Sequence, residues 1–467
     1  MSTFILVTNF IVLGYFFLLN TVYLTTSLFA FWSLRQYRRK KKNINIEDEN
    51  AAKAALPIAL IVPARNEELT GVQSVQSLLS LIYPEFEVIV VNDGSSDDTL
   101  RRLTEAFDMV PSPRFPMASI PCAPVRGTYR SRRHPHLWLI DKVNGGKADA
   151  LNCGLNYARA PLFCAIDSDS LLEREALKRI VRPFLEDNKT IASGGIIRIV
   201  NGCSVRSGVV TDVRMPKNWL AKFQVLEYLR AFLSGRIGWS ALNSILVISG
   251  AFGLFRRGIV IDCGGFDRNT VGEDMELIMR LHRHCRDKKI PYKITYIPDP
   301  VAWTECPETI AVLGRQRDRW QRGLAESLVK HRAYMFNPRY GRLGFIAYPY
   351  FFFLELLGPT IEAVGYVSFI FCLLFSRISV EFMAAFLIAA FIFGMILSII
   401  AVSLEELSFQ RYPRLRDIGQ LFFLAIAENV GYRQVLAYYR VKSIFTMFRR
   451  SGEWGKMQRK GFAGTTG

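Results

Sequence analysis

The chain reads as an α/β domain built on a mostly parallel sheet and tethered to a membrane by apolar helices. Three observations predict this. Short apolar runs alternate with helical patterns from Pro57 to about Lys330, and that alternation implies parallel strands covered on both faces. No charged residue occurs from Met1 to Leu34, a stretch longer than the roughly 20 apolar residues that cross a bilayer. Further apolar segments follow the domain, near 343–375, 382–404 and 418–439.

Residues 1–34 read as a transmembrane helix, because they lack the basic start and small-residue cleavage site of a signal peptide. Arg35 to Lys42 supplies six basic residues within the juxtamembrane linker 35–56, and such a block holds its end of a span in the cytoplasm. The domain spans 57–330. Ile58–Val62 is a strand, Glu68–Ile82 a helix stopped by Pro84, and Val88–Val91 a strand delivering Asp93 to its carboxyl end. Leu137–Ile140, Leu162–Ile166 and Ile245–Ile248 are further strands. In the membrane region 331–440, Glu355, Gly358-Pro359 and Glu362 interrupt the first segment, and 382–404 is the cleaner span. Segment 418–439 contains Glu428 and Arg433 between basic flanks, which favours a place in the interface or re-entry, with a full crossing as the alternative. A basic tail, 441–467, follows.

The formal net charge is +18, which raises nucleic-acid binding. The basic residues cluster beside the apolar runs, where lipid headgroups and the positive-inside bias account for them, and no nucleic-acid-binding signature accompanies them. Eight cysteines at irregular spacing, with no C-x-x-C pair, indicate buried free thiols in a reducing compartment.

Four motifs stand in order within the domain: Asn92-Asp93-Gly94-Ser95, Asp167-Ser168-Asp169, Gly272-Glu273-Asp274 and Gln316-Arg317-Asp318-Arg319-Trp320. Pro63-Ala64-Arg65-Asn66-Glu67 closes one strand and Asn92 to Asp97 another; in α/β sheets, ligands bind at such carboxyl ends. An aspartate there can accept hydrogen bonds from a nucleobase or ribose, although an Asx-turn and helix cap explain Asp-Gly-Ser-Ser-Asp equally well. Asp167 and Asp169, two residues apart at a strand end, suit a hard divalent ion. Lys142 to Lys147 opens a helical segment with two glycines, which lets backbone and ammonium approach a phosphate; the Walker spacing is absent. Gly272-Glu273-Asp274 starts a helix, where the dipole favours an ionised carboxylate able to act as a base. Gln316 and Arg319 share a helix face, and Trp320 offers a flat surface to a sugar ring. His282, His284 and Cys285 do not share one face, which argues against zinc. Glu355 and Glu362, seven apart, share a helix face; a saccharide path, the headgroup level and pairing with Arg433 are the alternatives for them.

Together these motifs resemble the family-2 glycosyltransferases, and within them the membrane-bound processive synthases of poly-N-acetylglucosamine, hyaluronan and cellulose. The resemblance runs from Pro57 to the tail motif Gly455-Lys456-Met457, with Asn144 to Asn152 matching an N-G-G-K-x-x-A-L-N run and Ser249-Gly250-Ala251-Phe252-Gly253 another shared block. It implies a GT-A fold and a hexosyl- or N-acetylhexosaminyltransferase at the cytoplasmic membrane. Pro63, Arg65, Glu67, Asp93, Lys147 and Asp167 would bind the UDP-sugar donor. Asp169, with Asp167, would hold Mg2+ or Mn2+. Asp274 would be the base, and Glu273, Ser249, Gly250, Gln316, Arg319 and Trp320 would serve the acceptor. Gly272 stands where the family's motif has threonine. The implied partners are a saccharide or glycolipid acceptor, the lipid bilayer and accessory export or synthase subunits. The implied reaction builds a β-linked exopolysaccharide; single-sugar transfer to a glycolipid and a non-enzymatic nucleotide-binding membrane partner are the alternatives.

Overall fold

The computed structural model describes residues 3–43, 55–206, 208–375, 380–412 and 414–446. The tail motif Gly455-Lys456-Met457, half of the linker and most of the basic tail lie outside them. The chain divides into two compact units: residues 38–216 and 245–306 form one, and residues 1–37, 217–244 and 307–455 the other. Segments 217–244 and 307–330, read from sequence as part of the α/β domain, thus fold with the apolar helices.

The first unit is built on a ten-stranded sheet in the order β3-β4-β5-β2-β1-β6-β11-β8-β12-β7. The strands are β1 Ile58–Ala64, β2 Phe86–Asp93, β3 Met109–Pro111, β4 Val125–Ser131, β5 Leu137–Lys142, β6 Leu162–Ile166, β7 Ser170–Leu172 and β8 Thr190–Ile199; β9 Ser204–Arg206 and β10 Val209–Asp212 form a separate hairpin; β11 is Phe252–Arg256 and β12 Lys293–Thr304. At the centre, β5, β2, β1 and β6 run parallel. Their unbroken apolar runs, such as Ile58–Val62, are fully buried, as strands covered on both faces require. Ala64, Asp93, Lys142 and Ile166 therefore end at one edge. β11 is antiparallel to β6, with Phe252 opposite Ile166, so Ser249 and Gly250 reach that same edge.

Ile245–Ile248 is not a strand. β11 already occupies the ladder between β6 and β8, and the Ile245 carbonyl accepts from His282 Nε2 at 2.8 Å. The residues are instead a buried connector that sets down Ser249 and Gly250. His282 Nδ1 meets the Tyr292 hydroxyl at 2.8 Å, so both ring nitrogens are used and zinc ligation has no support there. All eight cysteines are free thiols.

The second unit is helical. Among the described residues, Val7–Lys40 and Val380–Ser408 are long and apolar enough to cross a membrane, and a third candidate is bent by 42° between Leu343–Leu356 and Gly358–Leu374. That bend separates Glu355 from Glu362, so the single helix face expected for them does not form. Each is held by side chains: Tyr23 and Tyr350 donate to Glu355, and Tyr15 donates to Glu362. Segment 418–439 is also divided, into Leu415–Ala427 and Tyr432–Thr446, with Gly431 turning at φ 91°. Buried Glu428 at the turn accepts from Arg230, Arg433 and Ser398, which explains how a carboxylate is tolerated there.

Candidate active site

The carboxyl edge of β1, β2, β5 and β6 carries most of the polar groups singled out in the sequence. The ends of β1 and β2 are laced together. Asn66 N–H donates to Ser95 Oγ (3.0 Å), Ser96 N–H to Asn66 Oδ1 (2.9 Å) and Glu67 N–H to Thr99 Oγ1 (2.7 Å). These bonds tie the two loops into one structure. Pro63 is half-buried and Arg65 exposed, whereas Glu67 turns inward and accepts from Thr70 Oγ1 at 2.6 Å.

Asp93 is almost fully buried. Its Oδ1 accepts from Lys142 Nζ (2.6 Å) and Gly145 N (3.0 Å), and its Oδ2 from Asn144 Nδ2 (3.2 Å) and Gly146 N (2.8 Å). An ionised carboxylate offers about four acceptor sites, and these four donors fill them. Asp93 thus fastens the loop Asn144–Gly146, whose last residue adopts φ 92° ahead of the helix Lys147–Tyr157, a conformation suited to glycine. Lys142 is fully buried between Asp93 and Asp149, 2.6 Å from each. Lys142 and Asp149 lie within sequence motifs but carry no role there; a lysine closing an apolar strand is the signal that points to this pair, since buried lysines need partners.

Lys147 begins the helix at the centre of the acidic residues. Its Nζ is 2.6 Å from Asp167 Oδ1 and 2.9 Å from Glu273 Oε1. Burial opposes its charge, but Asp167, Glu273 and Asp274 outweigh burial and hold its pKa above the usual lysine range. Glu273 and Asp274 open the helix Glu273–Asp287, with three acidic residues in the first turn complementing the dipole. Asp274 Oδ2 accepts from Gly250 N at 3.1 Å and Oδ1 from Met275 N at 2.8 Å, so two backbone amides orient the carboxylate. Gly250 also leaves room for Lys147, since a Cβ there would lie 2.7 Å from its Nζ. Burial raises the Glu273 pKa, Lys147 lowers it and Asp274 raises it again. The structure thus brings Lys147, Asp167, Gly250, Glu273 and Asp274 together.

Asp169 follows Asp167 beyond β6. Burial and then the charge of Asp167 push its pKa up to about 7. Two carboxylates that repel at a strand end suit a hard divalent cation, which takes oxygen ligands. Among the described residues, no cluster of three or more His, Cys, Asp or Glu stands ready to hold a metal, so such an ion would take further ligands from a bound diphosphate or water.

Gln316, Arg319 and Trp320 lie in the helical unit, on the helix Ile310–Lys330. Gln316 is buried, while Trp320 is 42% exposed. The Trp320 ring is backed by the Arg317 guanidinium at 4.2 Å and approached by Tyr228 at 6.5 Å. Arg317 donates to Glu227 Oε2 at 2.7 Å, which also accepts from Tyr432 at 2.7 Å. This buried support was not legible in sequence, because Glu227 and Tyr432 are far from the motif in the chain.

Residues 55–323 match the family model described as Glycosyltransferase like family 2. The probable glycosyltransferase YdaM of Bacillus subtilis is 27% identical over 439 residues, covering 91% of this chain and 92% of that one. The poly-beta-1,6-N-acetyl-D-glucosamine synthase of Staphylococcus epidermidis is 29% identical over 273 residues, which are 58% of this chain and 56% of that protein. Among solved structures, the mannosyltransferase PcManGT from Pyrobaculum calidifontis, in complex with GDP-Man and Mn2+, aligns over 90% of this chain and 99% of its own, with a TM-score of 0.52 at 16% identity. That likeness concerns the fold, which is of the GT-A type.

Proposed function

Because the chain belongs to glycosyltransferase family 2, and is therefore a glycosyltransferase, we propose that it transfers a sugar from a UDP-sugar to a saccharide hydroxyl, with inversion, to build a β-linked exopolysaccharide. The observation that carries this reading is the single cluster joining Lys147, Asp167, Glu273 and Asp274.

In this reading Asp274 takes the proton of the acceptor hydroxyl. The acceptor oxygen forms a bond to the anomeric carbon as the bond from that carbon to the diphosphate oxygen breaks. Gly250 and Met275 amides hold the base in position. Lys147 pairs with the diphosphate, and Glu273 holds Lys147 at the place where donor and acceptor meet. Asp93, its acceptor sites filled by Lys142 and the Asn144–Gly146 loop, serves the donor by shaping that loop. Pro63, Arg65 and the Asn66–Ser96 turn border the nucleoside pocket, and buried Glu67 supports it. Asp169 and Asp167 would hold Mg2+ or Mn2+, which neutralises charge on a leaving diphosphate. Trp320, with Gln316 and Arg319, would carry the acceptor sugar, and Ser249 and Gly250 would border its reacting end.

The six basic residues after the first span favour a multi-pass protein of the cell membrane with its α/β unit facing the cytoplasm, where UDP-sugars are made. The test is a panel of UDP-sugars given to the membrane-embedded protein, with UDP release and product length read together. One sugar should release UDP and yield long products. EDTA should stop the reaction and Mg2+ or Mn2+ should restore it, except in Asp169→Ala. Release of UDP from none of the panel, or full activity in EDTA, would overturn the corresponding part of the reading. One sugar per acceptor would select the glycolipid product instead.

A further inference from the structure

The apolar stretch Leu343–Leu374 breaks at Leu357, where its halves meet at 42°. The cause is local. Pro359 has no N–H to give the carbonyl four residues back, that of Glu355. Thr360 N–H turns to Leu357 O at 3.0 Å, three residues back, and so leaves Leu356 O. Two successive carbonyls thereby lose their helical donors, a costly situation in apolar surroundings unless other groups supply the bonds.

Two side chains supply them. Arg440 Nη2 donates to Glu355 O at 2.5 Å and lies 3.3 Å from Glu355 Oε2. Gln321 Nε2 donates to Leu356 O at 3.0 Å. The two donors are themselves joined, Arg440 Nε to Gln321 Oε1 at 2.9 Å. Gln321 directly follows Trp320 on the helix Ile310–Lys330. The helix carrying Arg440, Tyr432–Thr446, splints that same helix twice more. Ser443 Oγ donates to Asp318 O at 3.1 Å, and the Tyr439 ring fills the space left by Gly314, where a Cβ would lie 2.3 Å from it.

We propose that Arg440 and Gln321 are positioning residues for the acceptor: they fix the Trp320 helix against the break at Leu357, so acceptor handling depends on them and donor handling does not. The side chains that complete the broken helix are thus the ones that hold the platform. The inference rests on the acceptor role given to Trp320 above.

The test uses the full chain in lipid nanodiscs, with Arg440→Gln, Gln321→Leu and Gln321→Glu. Loss of a hydrogen bond involving a charged group corresponds to about a tenfold effect. Arg440→Gln and Gln321→Leu should therefore raise the acceptor KM about tenfold and shorten the products, with the donor KM unchanged. Gln321→Glu keeps the acceptor for Arg440 but gives up the donor to Leu356 O, so its acceptor KM should fall between those of wild type and Gln321→Leu. Donor and acceptor constants that move together, or neither moving, would overturn the proposal. Amide exchange over residues 350–362 gives a readout independent of transfer. It should quicken in Arg440→Gln and Gln321→Leu, and unchanged exchange would remove the brace. Wild-type protein that transfers no sugar would sink the functional reading alone, leaving the exchange result to judge the brace.

Discussion

The Lys147 ammonium lies 2.6 Å from the Asp167 carboxylate, and this pair is half of a link between the carboxyl edge of the sheet and the helix Glu273–Asp287. Lys147 completes the link through Glu273 at 2.9 Å. One cation thus serves carboxylates from two motifs that are more than a hundred residues apart in the chain. A change at any member should be felt by the others.

Asp274→Asn preserves the shape but replaces one of the two amide-facing oxygens with an NH2 and removes the basic carboxylate. Transfer should fall by about 10²-fold or more, with UDP affinity retained, because the proposed nucleoside contacts lie at the ends of β1 and β2. Steady-state rates and UDP titration on the same preparation check both halves; near-wild-type transfer would remove Asp274 from the mechanism.

Gly250→Ala puts a Cβ where Lys147 Nζ stands, 2.7 Å away. The ammonium is held by two carboxylates and cannot simply swing aside. The protein should still fold, at a cost of about 1–3 kcal/mol of stability, while displacement of Lys147 from its place should lower transfer by about tenfold, a barrier change of about 1.4 kcal/mol. Gly264→Ala, at a turn of the same unit with no atom within 4 Å of its Cβ but φ +86°, is the contrast: it should affect stability and leave transfer nearly intact.

His282 gives the α/β unit a pH-dependent stability. Burial lowers its pKa to about 4, against about 6.5 in an unfolded chain. Below pH 6.5 the unfolded chain takes up a proton that the folded imidazole refuses. Stability present above pH 6.5 should therefore decline as pH falls, by about 3 kcal/mol, until the folded ring protonates near pH 4. Unfolding of the detergent-solubilised protein, followed at pH 7 and pH 4.5 alongside His282→Gln, measures this. An equal pH response in the variant would assign the effect to other groups.

Trp320→Ala removes a partly exposed aromatic surface, worth about 1 kcal/mol to a stacked partner. Products should shorten before donor binding weakens. Their length distribution from a labelled UDP-sugar at low conversion is the measurement, and unaltered lengths would dismiss the platform.

The parallel centre of the sheet was legible because its strands are short apolar runs that end in polar residues. Leu162–Ile166 has the bounds its sequence predicts and Ile58–Val62 runs on only to Ala64, for that reason, and Asp93 and Asp167 fall at strand ends as expected. Ile245–Ile248 has the same composition but is a connector, because β-pairing depends on which ladder is vacant and β11 fills it. A four-residue apolar run cannot convey that choice.

By itself, the sequence determined the α/β class, the charge-free first apolar segment and the motifs of the candidate site, since these follow from periodicity, charge-free length and side-chain chemistry. Tertiary structure alone decided their relations. It set Lys147 between Asp167 and Glu273, filled the acceptor sites of Asp93 with Lys142 and a glycine loop, and assigned 217–244 and 307–330 to the helical unit. It also broke the helix between Glu355 and Glu362 and met the freed carbonyls with Arg440 and Gln321. The reason is physical: a buried charge or carbonyl needs a partner, and the chain supplies that partner from residues distant in sequence, which only the fold brings within 3 Å.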